Sequence, residues 1–481
     1  MIPCRPVAAF GLCLLLTAAT SLTQCTGERA PDASATAAPL PTPGEPVRLL
    51  VSGSMHGRLE PCGCASGQLG GLARRRQHIG EQRSYDLLIE GGDMVVDHDE
   101  LAVLKFFTAV QVLTGMAPAY DALGVGPKDL RLPLDEWSMF LGGAPVVACD
   151  LESTREDWPA TPFVEKDVRG QTVRVTGMTL SLPETLQTDD APVKLLPPAD
   201  AWRRALDGVA PETLRILILH GTDTAARALV PTLEPAPDLV VCCDDQRVEP
   251  AAQAEPVGRS KMVFGGIRGR VLLEVSLARG ADGPIVDCEL VPLAGSKTLP
   301  GGGGDPDVKQ VLLAHREQVK QDQVLERLAR QLPTPNDAAY VGSETCKGCH
   351  PGAWDAFANS RHFHAWETLE KAEADPQRYG WPVTHYPDCV SCHVVGYREE
   401  TGFVSHAETP HLAGVGCERC HGAGSDHIQN PAQNRLGIHG GVQASLMCVQ
   451  CHDFEQSPDF VYDQRWAVIR HGREPGQTAP K

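Results

Sequence analysis

Short apolar runs separated by turns that carry glycine, aspartate or proline set the rhythm of the chain from residue 47 onward. The runs at 47–51, 86–89, 145–148, 214–219, 239–241 and 271–275 are each long enough for one buried strand, and longer amphipathic stretches such as 100–113 lie between them. That alternation predicts an α/β domain over 47–298 built on a layered sheet. Pro300 and the glycines at 301–304 close it. Asp305, Pro306 and Asp307 then open a run to Leu332 whose apolar residues, among them Val308, Leu312, Val319, Leu325 and Leu328, fall at helical spacing, which predicts a linker helix within 299–336. Pro333 and Pro335 end it and leave a C-terminal domain over 337–481. Ahead of the α/β pattern, Arg5 precedes an apolar run at 8–19. At about a dozen residues it is too short to span a bilayer, which takes about 20, so 1–25 reads as an export signal. Residues 26–46, rich in Ala, Pro and Thr, have too little apolar side chain to fold and read as an extended tether. No later run is long enough to span a membrane, which places the expected mature protein outside the cytoplasm.

Composition sharpens this in two ways. With 42% apolar and 22% charged residues the chain can bury a core and is neither disordered nor fibrous. Its 43 basic against 61 acidic residues, net −18, exclude the clustered positive charge that a nucleic-acid partner needs. The 17 cysteines and 17 histidines are unevenly spread: eight Cys lie at or after Cys346, and twelve His lie beyond residue 337. The C-terminal domain is therefore where metal chemistry concentrates.

Four copies of Cys-x-x-Cys-His account for it: Cys346, Cys349 and His350; Cys389, Cys392 and His393; Cys417, Cys420 and His421; Cys448, Cys451 and His452. This spacing lets two thioethers hold a haem while the adjacent histidine becomes the proximal iron ligand. Two zinc sites built from Cys-x-x-Cys pairs would use the same cysteines. They would leave four histidines unexplained, and an exported, oxidising setting suits covalent haem better. Four haems along 346–452 leave about 30 residues each, below the roughly 40 at which a polypeptide core needs a metal or crosslink. The haems are then expected to be the core and to touch one another, and the chain without them is not expected to fold. Met447 is the only methionine of the domain and sits directly before Cys448, so methionine ligation is disfavoured. Eight further histidines, His362, His364, His385, His406, His411, His427, His439 and His471, can supply sixth ligands, and bis-histidine coordination at low potential is expected for most of the irons.

Several stretches resemble the tetrahaem cytochrome c family over about 340–472: Tyr340-Val-Gly-Ser-Glu-Thr-Cys-Lys-Gly-Cys-His350, Ser360-Arg-His362, Gly414-Val-Gly-Cys417-Glu-Arg-Cys-His421-Gly-Ala-Gly-Ser-Asp-His427 and Trp466-Ala-Val-Ile-Arg-His471. The resemblance implies distal ligation by His362, His427 and His471. The fourth distal ligand stays open among His385, His364, His411 and His439; some relatives leave one iron five-coordinate.

A second resemblance covers roughly 47–277. Gly53-Ser-Met-His56-Gly-Arg-Leu-Glu-Pro-Cys62-Gly-Cys64, Gly70-Gly-Leu-Ala-Arg74, Glu90-Gly-Gly-Asp93, Tyr120-Asp-Ala-Leu-Gly124 and the strand ending at His220 are similar to the periplasmic 5′-nucleotidase family of metallophosphoesterases. That family implies a layered α/β sandwich with a two-metal site at the strand ends. The chain departs from it where the metals would bind. Ser54 stands in place of an Asp, Gly126-Pro127-Lys128-Asp129 replaces Gly-Asn-His-Glu, and Cys242-Cys243-Asp244-Asp245-Gln246 lacks the late histidines. His56, Asp93 and His220 alone survive as vestigial positions, so no dinuclear metal centre is expected. Cys62 and Cys64 lie in the first strand-to-helix loop. A C-x-C disulfide closes a very small ring and should be easily reduced, so the pair is a candidate redox centre as well as a candidate loop brace. The context Glu60-Pro61-Cys62-Gly63 resembles nucleotidase-like proteins that carry a Cys or selenocysteine pair there, which implies redox use. Cys242 and Cys243 have a weaker claim, and Cys149 and Cys288 read as small buried hydrophobes. Leu22-Thr23-Gln24-Cys25 resembles a lipoprotein cleavage box, with Gln24 where a small residue is usual, so Cys25 is a candidate lipid anchor.

The leading expectation is an exported multihaem c-type cytochrome with four covalent haems. It exchanges electrons with a periplasmic or membrane partner, a cytochrome or quinol-oxidising protein, and delivers them to Cys62 and Cys64 on a non-hydrolytic α/β domain. Membrane contact is expected only through a lipid on Cys25. Two alternatives stay open, a metal-dependent phosphohydrolase with an attached cytochrome domain and a redox-dependent binding module.

Overall fold

In the computed structural model the first apolar run becomes β1 (Val47–Val51), followed by β2 (Leu87–Glu90), β3 (Ala122–Gly124), β4 (Val146–Val147) and β5 (Leu151–Ser153). Next come β6 (Phe163–Val168), β7 (Gln171–Met178), β8 (Val193–Leu195), β9 (Leu214–His220) and β10 (Leu239–Cys243). The series ends with β11 (Glu255–Val257), β12 (Ser260–Phe264), β13 (Val271–Gly280) and β14 (Gly283–Pro292). The structure describes residues 45–61, 67–82, 84–188, 190–248, 250–296, 302–375, 381–437 and 441–471. The expectations for the signal at 1–25, for 26–44 of the tether, and for Cys25, Cys62, Cys64 and His439 lie outside them.

Two six-stranded sheets result, in the orders β14-β13-β1-β2-β3-β4 and β11-β12-β10-β9-β7-β6, with β5 and β8 pairing separately. β1 to β4 run parallel, and the β13–β14 hairpin adds antiparallel to β1. Strands buried on both faces need apolar residues at nearly every position, which is why the runs look continuous rather than alternating. Leu49, Val51, Ile89, Val175, Ile218, Val241 and Leu273 meet between the sheets. The opposite face of the first sheet packs Leu50, Leu88 and Leu123 against α1 (Leu72–Gln82), α2 (Glu100–Gly115) and α3 (Leu134–Leu141) through Phe106, Leu113 and Trp137. The outer face of the second packs Leu217, Val240 and Met262 on Trp202 of α4 (Pro198–Ala205) and Ala226 of α5 (Asp223–Leu229). The α/β part is thus a layered sandwich with helices on both outer faces.

The helix expected over 305–332 is two, α6 (Pro306–Gln321) and α7 (Val324–Leu328). Asp305 caps α6 by accepting from the Asp307 and Val308 amides at 3.0 Å each. Gln323, with φ of 53°, breaks the run because a left-handed residue cannot continue a helix. Neither helix is a free linker. α6 packs on α1 and α2, and α7 buries Val324, Leu325 and Leu328.

The C-terminal part is helical and irregular: α8 (Pro351–Phe357), α9 (Ala365–Ala374), α10 (Pro387–Val390), α11 (Cys417–His421), α12 (Ser425–Gln429), α13 (Gly441–Cys448) and α14 (Tyr462–Ile469). Its largest apolar cluster is small, with Trp366, Val390, Val394, Phe403 and Leu412 at its centre. Among the described residues no helix is long and apolar enough to cross a membrane.

Candidate functional site

Each Cys-x-x-Cys-His motif closes a single tight turn: the His350 amide donates to the Cys346 carbonyl at 3.0 Å and the His452 amide to the Cys448 carbonyl at 2.9 Å. The turn puts both cysteines and the histidine of a motif on one short segment. Glu418, inside the third motif and 3% exposed, ties that motif to the approach of the first. Its carboxylate accepts from the Val341, Gly342 and Gly424 amides, the last two at 2.7 Å. The thiols of Cys346 and Cys417 lie within hydrogen-bond reach of each other, as do those of Cys392 and Cys451. First and third motifs therefore adjoin, and so do second and fourth. Arg419 reaches Gln450 at 3.4 Å and Cys451 Sγ at 3.8 Å, joining the third to the fourth.

Three motif histidines each face a histidine from outside the motifs. The ring centroids are 6.1 Å apart for His350 and His427, 5.9 Å for His362 and His452, and 5.7 Å for His421 and His471. Metal–imidazole bonds are about 2 Å long. Two of them plus the two half-rings put the centroids about 6 Å apart, so each pair is spaced to hold one metal ion between its rings. Second bonds orient several of these rings. His427 Nδ1 donates to the Asn434 carbonyl at 2.9 Å, His452 Nδ1 is bonded to Ser457 Oγ at 2.7 Å, and His393 Nδ1 donates to the Ala365 carbonyl at 2.7 Å. With Nδ1 engaged, Nε2 is left as the ligand atom. Burial, with His471 and His350 nearby, pushes His421 down to about 4, and burial lowers His362, His393 and His452 as well. These rings are neutral at pH 7, as ligands must be. Twelve cysteine and histidine residues in four motifs, with facing imidazoles, fit covalently bound haem c.

The structure does not give His393 such a partner: among the described residues no other imidazole stacks on it. His385 is bonded through Nδ1 to Thr384 Oγ1 at 3.0 Å and lines a cavity of about 520 Å³ with Trp366, Glu370, Glu373 and His406.

At the strand ends of the sandwich, His56 and Asp93 keep left-handed backbones, φ 52° and 45°, of the kind that sharp functional loops hold. Gly126 packs so tightly on Asp93 that a Cβ there would lie 1.9 Å from Oδ1. Ligand atoms of His56, Asp93 and Asp245 fall within 4.8 Å of one another. The Nζ of Lys128 stands among them, 3.1 Å from His56 Nε2, 3.4 Å from Asp93 Oδ2 and bonded to Asp245 Oδ2. The residues therefore do not fit a two-metal centre, because an ammonium supplies the positive charge a cation would bring. His220 stands outside that group of ligand atoms, with Nε2 donating to the Gly91 carbonyl at 2.6 Å and Nδ1 3.7 Å from Asp93 Oδ2. In the sequence Lys128 and Asp245 stand out only as departures from the metal ligands, which is why neither is a candidate there. Cys149, Cys242 and Cys243 are buried free thiols. Burial pushes Cys242 up to about 12 and the half-buried Cys288 up to about 11, so these thiols are unreactive.

Comparison with known proteins separates the two parts. The family described as cytochrome c554 and c-prime matches residues 345–422, which hold the first three motifs. Cytochrome c-554 of Nitrosomonas europaea is 35% identical over 97 residues, 18% of this chain and 40% of that protein. The match thus spans well under half of the relative's length. Among solved structures, a 5′-nucleotidase precursor from Thermus thermophilus is similar with a TM-score of 0.47 and 18% identity, covering 60% of this chain and 62% of the other. The sulfate thiohydrolase SoxB of Thermus thermophilus follows with a TM-score of 0.46 and 15% identity over 65% and 69%. Residues 345–422 of this chain are thus similar to the cytochrome c554 and c-prime family, and the Cys-x-x-Cys-His motifs of the C-terminal part fit covalently bound haem c.

Proposed function

We propose that this chain is an exported multihaem c-type cytochrome that binds four haems and carries electrons between a redox partner and a dithiol at Cys62 and Cys64. The partner is a periplasmic or membrane cytochrome or quinol-oxidising protein, and Cys25 is the site of a lipid anchor. The observation that carries the reading is the set of three imidazole pairs with centroids 5.7 to 6.1 Å apart, each joining a motif histidine to one outside the motifs. Haem c, when bound, supplies one-electron iron chemistry at a potential that paired imidazoles keep low. The chain's own residues do the rest. His350, His393, His421 and His452 would hold the irons from the motif side, and His427, His471 and His362, which pair with three of them, would complete those sites. For the haem of His393 the second ligand would come from His385, His364, His411 or His439, His385 being the first candidate.

Cys62 and Cys64 lie outside the described residues, and their neighbours support their part. Gln68 donates to the Glu455 carbonyl at 2.8 Å, three residues after His452, and Arg58, Pro61 and Gln68 line one small groove with Glu455. Residues 61 and 68 thus lie beside the segment that follows the fourth motif. A disulfide there takes up two electrons and two protons, breaking one S–S bond to give two thiols. Lys128 among the carboxylates argues against the phosphohydrolase alternative. Coulometric titration of the full holoprotein tests the reading. Wild type is expected to take up two more electrons per chain than a Cys62→Ser/Cys64→Ser variant with the same haem content; equal uptake removes the dithiol from the path.

A further inference from the structure

The α/β part grips the haem-binding part through ion pairs next to two motifs. Lys105 of α2 bonds Asp388 at 2.5 Å, directly before Cys389. The stronger contact is on the other side of the fourth motif, at 453–455 immediately after His452. Arg268 Nη1 donates to Asp453 Oδ2 at 3.0 Å and to Glu455 Oε2 at 2.7 Å, and Arg58 lies 3.5 Å from the same Glu455 oxygen. The guanidiniums of Arg268 and Arg270 stand 4.8 and 5.0 Å from the centre of the Phe454 ring. Asp453 is held in place by the Glu455 and Gln456 amides, both donating to its Oδ1 at 2.8 Å. The side chains of Glu455 and Arg268 are 12% and 22% exposed, so solvent screens this cluster incompletely.

Two carboxylates within three residues of a motif histidine would, uncompensated, favour the more positively charged oxidised iron and lower its potential. Here two arginines from the other part of the chain offset them. We propose that Arg268, with Arg58, raises the reduction potential of the haem that Cys448 and Cys451 would hold, relative to what its own acidic segment would set, making the α/β part the tuner of that redox centre. The proposal rests on the reading above that the fourth motif carries haem. Arg268 is a positioning residue in this account: it acts through Asp453 and Glu455 and ligates nothing.

The test is a spectroelectrochemical titration of full-length holoprotein, with haem content measured on the same samples. Arg268→Met is expected to move one midpoint potential to more negative values and leave the others in place. Arg268→Lys is expected to restore much of it, and Glu455→Gln to move the same potential the opposite way. Opposite signs from two variants cannot come from shared loss of packing. With four haems present, potentials that do not move, or that all move together, overturn the proposal. A wild type with no haem on the 448–452 peptide overturns the fourth-motif reading itself and the proposal with it.

Discussion

His362 and His452 face each other with ring centroids 5.9 Å apart and planes at 62°, although one lies between α8 and α9 and the other closes the last motif. Ser457 holds Nδ1 of His452, so its free nitrogen is the one available to a metal between the rings. Replacing His362 by Ala is expected to convert one iron from low-spin to high-spin, read as loss of one low-spin signal in the electron paramagnetic resonance spectrum. An unchanged low-spin count would remove His362 from coordination.

Glu418 accepts from the Val341, Gly342 and Gly424 amides with almost no exposure to water. Glu418→Ala leaves those donors buried without a partner, and each unmet buried group costs about 1–3 kcal/mol. A loss of about 3 kcal/mol or more is expected in denaturant unfolding of the holoprotein. A loss under about 1 kcal/mol would mean that the first and third motifs are held together by other contacts.

Lys128 neutralises Asp93, which is 1% exposed, and Asp245 beside it. Lys128→Met strands these carboxylates and should cost about 3 kcal/mol. It should also turn the cluster into a divalent-cation site: manganese is expected to raise the melting temperature of the variant and leave that of the wild type unchanged. An equal response from both proteins would show that the ammonium does not stand in for a metal.

His315, in α6, is bonded to Thr108 Oγ1 and to the Tyr386 hydroxyl, both at 3.0 Å. Burial, helped by Lys105 and opposed by Asp388, pushes it down to about 4. The unfolded chain, whose histidine titrates near about 6.5, then binds more protons between those two values. Stability is fully present above the unfolded value and is lost as pH falls from about 6.5 to about 4, by about 3 kcal/mol. Denaturant unfolding across this range should show a shallower slope for His315→Gln; identical slopes would place the titration elsewhere.

How much of this is legible in the sequence depends on whether the signal is local. The run at 47–51 is a strand whose apolar residues, Leu50 on one face and Leu49 and Val51 on the other, are all buried, and burial leaves an apolar pattern that needs no partner to be seen. β7 does not show in that pattern because Thr172, Arg174 and Thr176 interrupt its apolar residues, and Arg174 is accommodated by its contacts with Glu165, the Ala205 carbonyl and the face of the Phe163 ring. The break at Gln323 leaves no trace in the apolar spacing. In the site, the motif histidines announce themselves by adjacency to cysteine, and His362, His427 and His471 are reached through resemblance. Lys128 cannot be found that way, since its meaning depends on Asp245, which only the packing of the strand ends brings to it.

We propose that four haems are covalently bound and that they, more than apolar side chains, form the core of the C-terminal part. Haem per chain, measured by the pyridine haemochrome assay on protein matured in a host that attaches haem c, tests it most directly. The expected result is four, one for each Cys-x-x-Cys-His motif. Fewer than three in a folded protein would contradict the account.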